Sequence, residues 1–109
     1  MDFGKAIEAL KAGERVARSG WNGKEMFLYY VPENKYRAET AIAKSYWSDR
    51  QPPKGENEER GPILVPYGAY IAMKTAQENV VPWLASQTDV LADDWEVLPD
   101  YASPKERAA

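Results

Sequence analysis

Met26-Phe27-Leu28-Tyr29-Tyr30-Val31 is the stretch that narrows the fold most. A run this rich in aromatic and branched side chains reads as a β-strand. Side chains alternate across a strand, so Met26, Leu28 and Tyr30 share one face and Phe27, Tyr29 and Val31 the other. Both faces are apolar, and neither is simply left to water. One is expected to meet a helix, the other a second subunit or a pocket.

The helix is supplied upstream. From Asp2 to Ala12 the apolar residues Phe3, Ala6, Ile7 and Leu10 fall at i, i+3, i+4 and i+7, one stripe of a helix. Asp2 can cap its start and Gly13 its left-handed end, while Lys5, Glu8 and Lys11 face water. Glu14 to Trp21 reads as a short extended piece centred on Val16 and bracketed by Arg15 and Arg18. Asn22-Gly23 then lies between two extended runs, a strong hairpin signal. Trp21 stands just before that turn, where a large ring must pack or bind something.

Pro32 to Trp47 is irregular, with a short helix expected at Glu39 to Trp47. Ser48 to Pro62 has no apolar side chain apart from its prolines and reads as a mobile insert. Strand character returns from Ile63 to Thr75, where Ala69, Ile71 and Met73 alternate with Tyr70, Ala72 and Lys74. Pro66 and Gly68 make the first part an edge or a bend. Ala76 to Asn79 is a turn, and Asn79 to Trp83 pairs back as a second hairpin. A short helix follows from about Thr88 to Ala92, then a last strand from Asp94 to Leu98. Trp95, heading that strand, and Trp47 are the tryptophans expected to be structural. The fold class is α+β: a small, mainly antiparallel sheet with an N-terminal helix and a short C-terminal helix. Residues 1–98 form one ligand-binding domain, with 48–62 as a mobile insert and 99–109 as a flexible tail.

Composition excludes several kinds of chemistry. With no Cys and no His among 109 residues, thiol nucleophiles, disulfides, the usual zinc sites and imidazole general bases are ruled out. The net charge of −3 and the lack of a basic run argue against binding to nucleic-acid polymers. No apolar run approaches the ~20 residues of a membrane span. The start of the chain lacks a signal-peptide pattern, and the absence of Cys is compatible with a cytoplasmic protein. Aromatic residues make up 12% of the chain, and Trp and Tyr far outnumber Phe, a bias toward rings with one wet edge at pockets or interfaces.

Val81-Pro82-Trp83-Leu84-Ala85-Ser86-Gln87-Thr88-Asp89 sets a flat ring beside four consecutive polar side chains. Two compatible readings apply. Ser86 with Asp89 three residues on is a capping box ahead of Val90 and Leu91. The same residues suit a pocket for a ring-bearing polar ligand.

Several stretches together resemble one family. They are Phe3-Gly4-Lys5-Ala6 with Leu10-Lys11-Ala12-Gly13, Val16-Ala17-Arg18 with Gly20-Trp21-Asn22-Gly23-Lys24, and Tyr70-Ile71-Ala72-Met73-Lys74-Thr75. Val80 to Asp89 and Leu91-Ala92-Asp93-Asp94-Trp95-Glu96-Val97 complete the set. The family is the second type of Thoeris anti-defence protein, a small phage family. The resemblance covers most of residues 2 to 98 and departs from shorter members over 32–62, where the insert is longer. It implies a sponge that binds cyclic ADP-ribose immune signals (glycocyclic ADP-ribose among them) without cleaving them, in the cytoplasm of the infected bacterial host. It also implies a homo-oligomer, by resemblance a tetramer, with ligand where protomers meet. In some relatives a second site holds cyclic oligonucleotide signals. No cofactor is implied.

Residue chemistry fits such a ligand. Trp21, Trp83, Phe27 or Tyr29 can stack on adenine, each stack being worth about 1–3 kcal/mol. Asp89, Gln87 or Asn22 suits the ribose hydroxyls. Backbone N–H groups near Ser86 to Thr88, helped by Lys24, Arg18 or Lys74, suit the pyrophosphate. Two other classes compete with the sponge. One is a protein-binding inhibitor of an immune effector that uses the Trp and Tyr surface. The other is a nucleotide hydrolase with Asp89, Asp93 and Asp94 holding a metal or acting as a base.

Overall fold

Asp2 starts the first helix, α1 (Phe3–Lys11), from an extended backbone, its carboxylate accepting the Lys5 N–H at 2.9 Å. Gly13, at φ +92°, takes the left-handed step beyond the last turn, where a side chain would strain the backbone. The apolar stripe is buried as expected: Ala6 and Leu10 are fully inside, and Phe3 and Ile7 pack against the same cluster.

The structure, a computed structural model, describes residues 1–21, 25–37, 46 and 63–100. The strands in chain order are β1 (Val16–Arg18), β2 (Phe27–Val31), β3 (Asn34–Arg37), β4 (Leu64–Tyr67), β5 (Tyr70–Lys74), β6 (Val80–Pro82) and β7 (Trp95–Val97). A second helix, α2 (Gln87–Leu91), precedes β7. The chain divides into two compact units, Met1–Val31 with Tyr70–Ala109, and Pro32–Ala69.

The first unit carries both helices and a five-stranded sheet in the order β6-β5-β2-β1-β7. Every neighbouring pair is antiparallel, with Val16 opposite Leu28, Arg18 opposite Trp95, and Phe27 opposite Lys74. This is the α+β architecture expected from the sequence. Alternation sends Leu28 and Tyr30 toward α1 and leaves Phe27 and Tyr29 on the other face. Ala6, Leu10, Val16, Leu28 and Trp95 form the core, and Trp95 is only 2% exposed. Its structural role is the one expected for it. Removing an aliphatic side chain the size of Leu10, Val16 or Leu28 from water contributes about 1.5–3 kcal/mol.

The second unit contains β3 and β4, paired antiparallel with Asn34 opposite Tyr67 and Arg37 opposite Leu64. Tyr36 and Tyr67 meet edge to face at 5.1 Å, and Val65 is buried.

Three local expectations change. β1 and β2 are antiparallel neighbours, as the hairpin reading requires, and Asn22 and Gly23 themselves lie outside the described residues; what changes is the extended piece read over Glu14 to Trp21, which ends at Arg18. After Arg18 the chain turns into a 3-10 helix at Ser19–Trp21, where Asp94 captures it. Its carbonyl accepts the Ser19 N–H at 3.0 Å, and its carboxylate the Gly20 N–H at 3.1 Å. The strand expected over Ile63 to Thr75 is two strands in two different sheets, broken at Gly68 and Ala69. The region read as irregular after Pro32 contains β3, whose partner β4 lies far along the chain. The expected helix at Glu39 to Trp47 apart from Tyr46, the insert over 48–62 and most of the 99–109 tail lie outside the described residues.

Candidate functional site

The residues proposed as ligand contacts fall into two groups on opposite faces of the sheet. The first gathers around Trp95 on the core face. Leaving β6, the chain bonds the Trp83 N–H to the Ile71 carbonyl at 2.9 Å and reaches Ser86, the N-cap of α2. The capping box is complete. The Ser86 hydroxyl accepts the Asp89 N–H at 3.0 Å, and the Asp89 carboxylate accepts the Ser86 N–H at 3.1 Å and its hydroxyl at 2.9 Å.

The other Asp89 oxygen takes the Arg18 guanidinium at 2.9 Å, and Arg18 also reaches Asp94 at 2.8 Å. Arg18 therefore ties the helix start to the strand start. Its two partners, Asp94 first and then Asp89, hold the guanidinium protonated beyond its ordinary range. Asp94 is pushed below the usual carboxylate range chiefly by the Arg18 hydrogen bond, with the Gly20 N–H adding to it. Burial pushes Asp89 up, but the Ser86 bonds and Arg18 outweigh it, and the net shift is downward. The two carboxylates are matched to one cation and to local donors, so this cluster braces the fold. Two of the three carboxylates named for the hydrolase alternative, Asp89 and Asp94, are thus engaged with Arg18 and with local donors.

The rings complete the brace. Trp21 and Trp83 each meet Trp95 edge to face, at 5.5 and 5.9 Å, and Phe3 tilts against Trp83 and Trp95 at 6.0 and 5.4 Å. The Trp95 indole N–H donates to the Asp89 carbonyl at 2.9 Å. Gln87 and Thr88 stand exposed on the short helix.

The second group lies on the opposite face, around Phe27. The pairing of Phe27 with Lys74 puts both on one side of the sheet, and Arg15 joins them because it lies one residue out of phase with buried Val16. The Arg15 guanidinium sits 4.9 Å from the centre of the Phe27 ring and the Lys74 ammonium 5.8 Å from it. Both distances are within the cation–π range. Tyr29 lies beside Phe27, ring centres 6.1 Å apart. A cleft of about 510 Å³ opens here, lined by Arg15, Glu25, Phe27, Lys74, Glu78 and Leu98. A smaller hollow of about 330 Å³ adjoins it, sharing Glu25 and Leu98 and reaching Trp21. Cations held against an apolar ring suit a ligand that combines a flat base with phosphate charge.

Of the expected contacts, Phe27, Tyr29 and Lys74 come together on the cleft face. Trp83, Ser86 and Asp89 come together on the core face, and Trp21 contacts the core cluster and also borders the smaller hollow. Asn22 and Lys24 lie outside the described residues. Arg15, Glu25, Glu78 and Leu98 were not foreseen as lining residues. Arg15 was within reach of sequence reasoning, since strand parity alone puts it on the face opposite Val16. Glu25 and Glu78 were not, because each depends on a left-handed turn residue, at φ +57° and +66°.

Comparison with known proteins adds an independent finding. The model of the Tad2-like family, described as the Thoeris anti-defense 2-like domain, matches residues 1–98. A protein described as Thoeris anti-defense 2, from Bacillus phage SP01, is 43% identical to this chain over 100 residues. The aligned part covers 90% of this chain and 94% of that protein.

Proposed function

The chain belongs to the Thoeris anti-defense 2-like family, and we propose that it counters Thoeris immunity by holding a cyclic ADP-ribose-type signal without cleaving it. The observation that carries this reading is the cleft in which Arg15 and Lys74 flank the Phe27 ring. A cyclic ADP-ribose isomer presents a pyrophosphate and an adenine. The two cations suit the pyrophosphate, and Tyr29, or Trp21 in the adjoining hollow, suits the base. Ser86 and Asp89 are assigned to the framework, because their polar atoms are already engaged with each other and with Arg18.

A binder of this kind acts mole for mole in the compartment where the signal is made, the cytoplasm of the infected host. No described helix is long and apolar enough to cross a membrane. Assembly into a homo-oligomer belongs to the same proposal. Its support is Leu84 and Leu91, 91% and 77% exposed at the two ends of the α2 segment, a costly place for leucine unless another surface covers them.

One mixing experiment tests the function. The protein is incubated with glycocyclic ADP-ribose, the mixture is filtered to remove protein, and the filtrate is assayed for activation of a Thoeris effector. The retained protein is then heat-denatured and the released material run by chromatography. Signal missing from the filtrate and recovered intact supports sequestration, and F27A and K74M should each leave signal in the filtrate. A chemically altered product would replace the sponge with an enzyme. Signal left in the filtrate by the wild-type protein would refute the reading for this ligand.

A further inference from the structure

Lys74 is held by two residues that share an unusual backbone. Its ammonium donates to the Glu25 carbonyl at 3.1 Å and pairs with the Glu78 carboxylate at 2.7 Å. Among the described residues, Glu25 and Glu78 are the non-glycine positions with left-handed φ, +57° and +66°. A glycine or asparagine would take that conformation at lower cost. The β5–β6 turn is locked around Glu78. Its N–H bonds the Thr75 carbonyl at 3.1 Å, the Thr75 N–H bonds the Asn79 carbonyl at 2.8 Å, and the Asn79 N–H bonds the Thr75 hydroxyl at 3.1 Å. That turn aims the Glu78 side chain back along its own strand at Lys74. The lysine side chain is largely covered, at 15% exposure, whereas Glu78 is 70% exposed. The cation is thus fixed in the cleft wall while its counter-ion stands in water.

We propose that Glu78 is a displaceable counter-ion that sets the charge selectivity of the Phe27 cleft. It holds the Lys74 ammonium in place until the phosphate oxygens of an incoming ligand take the carboxylate's position. Among the described residues, four charged side chains line the cleft, Arg15 and Lys74 against Glu25 and Glu78, and these four carry no net formal charge. A diphosphate that displaces Glu78 turns Lys74 toward itself and gains two cations around one ring. A neutral nucleoside has nothing with which to displace the carboxylate. Because the ion pair is half in water, displacing it costs little, which keeps the exchange reversible. The inference rests on the cleft being where the cyclic ADP-ribose isomer binds.

A double-mutant cycle on Lys74 and Glu78 tests it, with glycocyclic ADP-ribose as the probe, titrated by calorimetry at low and high salt. E78Q keeps the length and shape of the side chain and removes its charge. It should tighten binding about two- to fivefold at low salt, the range expected for one exposed ion pair, with a smaller gain at high salt. K74M should weaken binding, and in the K74M background E78Q should give markedly less gain, since Glu78 acts through the lysine. Thermal melts of each variant report whether the turn survives. If K74M weakens binding while E78Q leaves it unchanged or weaker, the counter-ion role is overturned and the cleft stands. Equal gains from E78Q with and without Lys74 would also overturn it, in favour of simple repulsion of the ligand. If K74M has no effect, or the wild type does not bind the probe, the cleft reading itself falls and the role of Glu78 falls with it.

Discussion

Replacing Ser86 with alanine separates framework from ligand site in one substitution. The Ser86 hydroxyl makes two of the three bonds of the capping box, accepting the Asp89 N–H and donating to the Asp89 carboxylate. The Asp89 carboxylate keeps the backbone N–H at position 86, so the box is halved, not abolished. Loss of a serine cap costs about 1 kcal/mol, with a range of roughly 0.5–2. α2 has five residues, so little else in the helix resists fraying. For a domain near this size, 1 kcal/mol lowers the melting temperature by roughly 4–8 °C. Fraying should also loosen the Asp89 carbonyl, which accepts the Trp95 indole N–H. Calorimetry gives the first quantity, and hydrogen exchange at the Asp89 amide and the Trp95 indole gives the second. S86T, which retains a hydroxyl, should recover most of both. Capture of glycocyclic ADP-ribose should change little, because the cleft lies on the far face of the sheet. An unchanged melting temperature together with lost capture would refute the division of roles, since Ser86 would then be touching ligand.

Other expectations follow from the same geometry. Asp89 and Asp94 have folded-state pKa values below the ordinary 3.8, so the folded state binds fewer protons than the unfolded chain in that range. Their stabilising contribution is therefore complete above about pH 4 to 5 and is lost as pH falls through the lower folded values; D94N should flatten the acid limb of an unfolding curve relative to wild type. L28A, at a fully buried core position, should cost about 2–5 kcal/mol, read from the denaturant midpoint at unchanged slope. L84E combined with L91E should shift the protein to smaller species in light scattering without lowering its melting temperature, whereas an unchanged mass would remove the leucines from any interface. W95F keeps a ring in the cluster but removes the indole N–H from the Asp89 carbonyl, which retains the Ala92 N–H at 3.3 Å, and should destabilise by about 0.5–1.5 kcal/mol for the lost bond.

The parts of the fold legible in the sequence are those set by local period and local chemistry. The α1 stripe, the alternation in β2 and β5, and the capping box each depend on residues a few positions apart, and each was recoverable. β3 was missed because Asn34-Lys35-Tyr36-Arg37 offers one large apolar side chain, and its strand character comes from pairing with Leu64 to Tyr67. The early end of the extended piece, at Arg18 and not Trp21, was missed because the 3-10 turn at Ser19–Trp21 is held by Asp94, more than seventy positions away from Ser19 and Gly20. The site divides in the same way. By residue type, Trp83, Ser86, Asp89, Phe27 and Lys74 were all candidate ligand contacts, with Ser86 and Asp89 also readable as a capping box. Parity on paired strands, which needs the register, places Phe27 with Lys74, whereas bonds from Trp95 and Arg18 to Asp89 hold the capping residues beside the core cluster.

That separation bears on how so small a chain would hold the proposed ligand. Arg18, Asp89 and Asp94 are partly covered and already engaged with one another, and an engaged set has little left to offer a ligand. Phe27, Arg15 and Lys74 escape this constraint because they stand on the face that α1 does not cover. There the cations are steadied by a ring and by exposed partners, an arrangement an incoming phosphate can take over at small cost. The same strand that fixes the core through Leu28 therefore positions the cleft through Phe27, one residue away. Moving Phe27 would require a register shift that also expels Leu28 from the core, so the stability of the fold enforces the geometry of the proposed site.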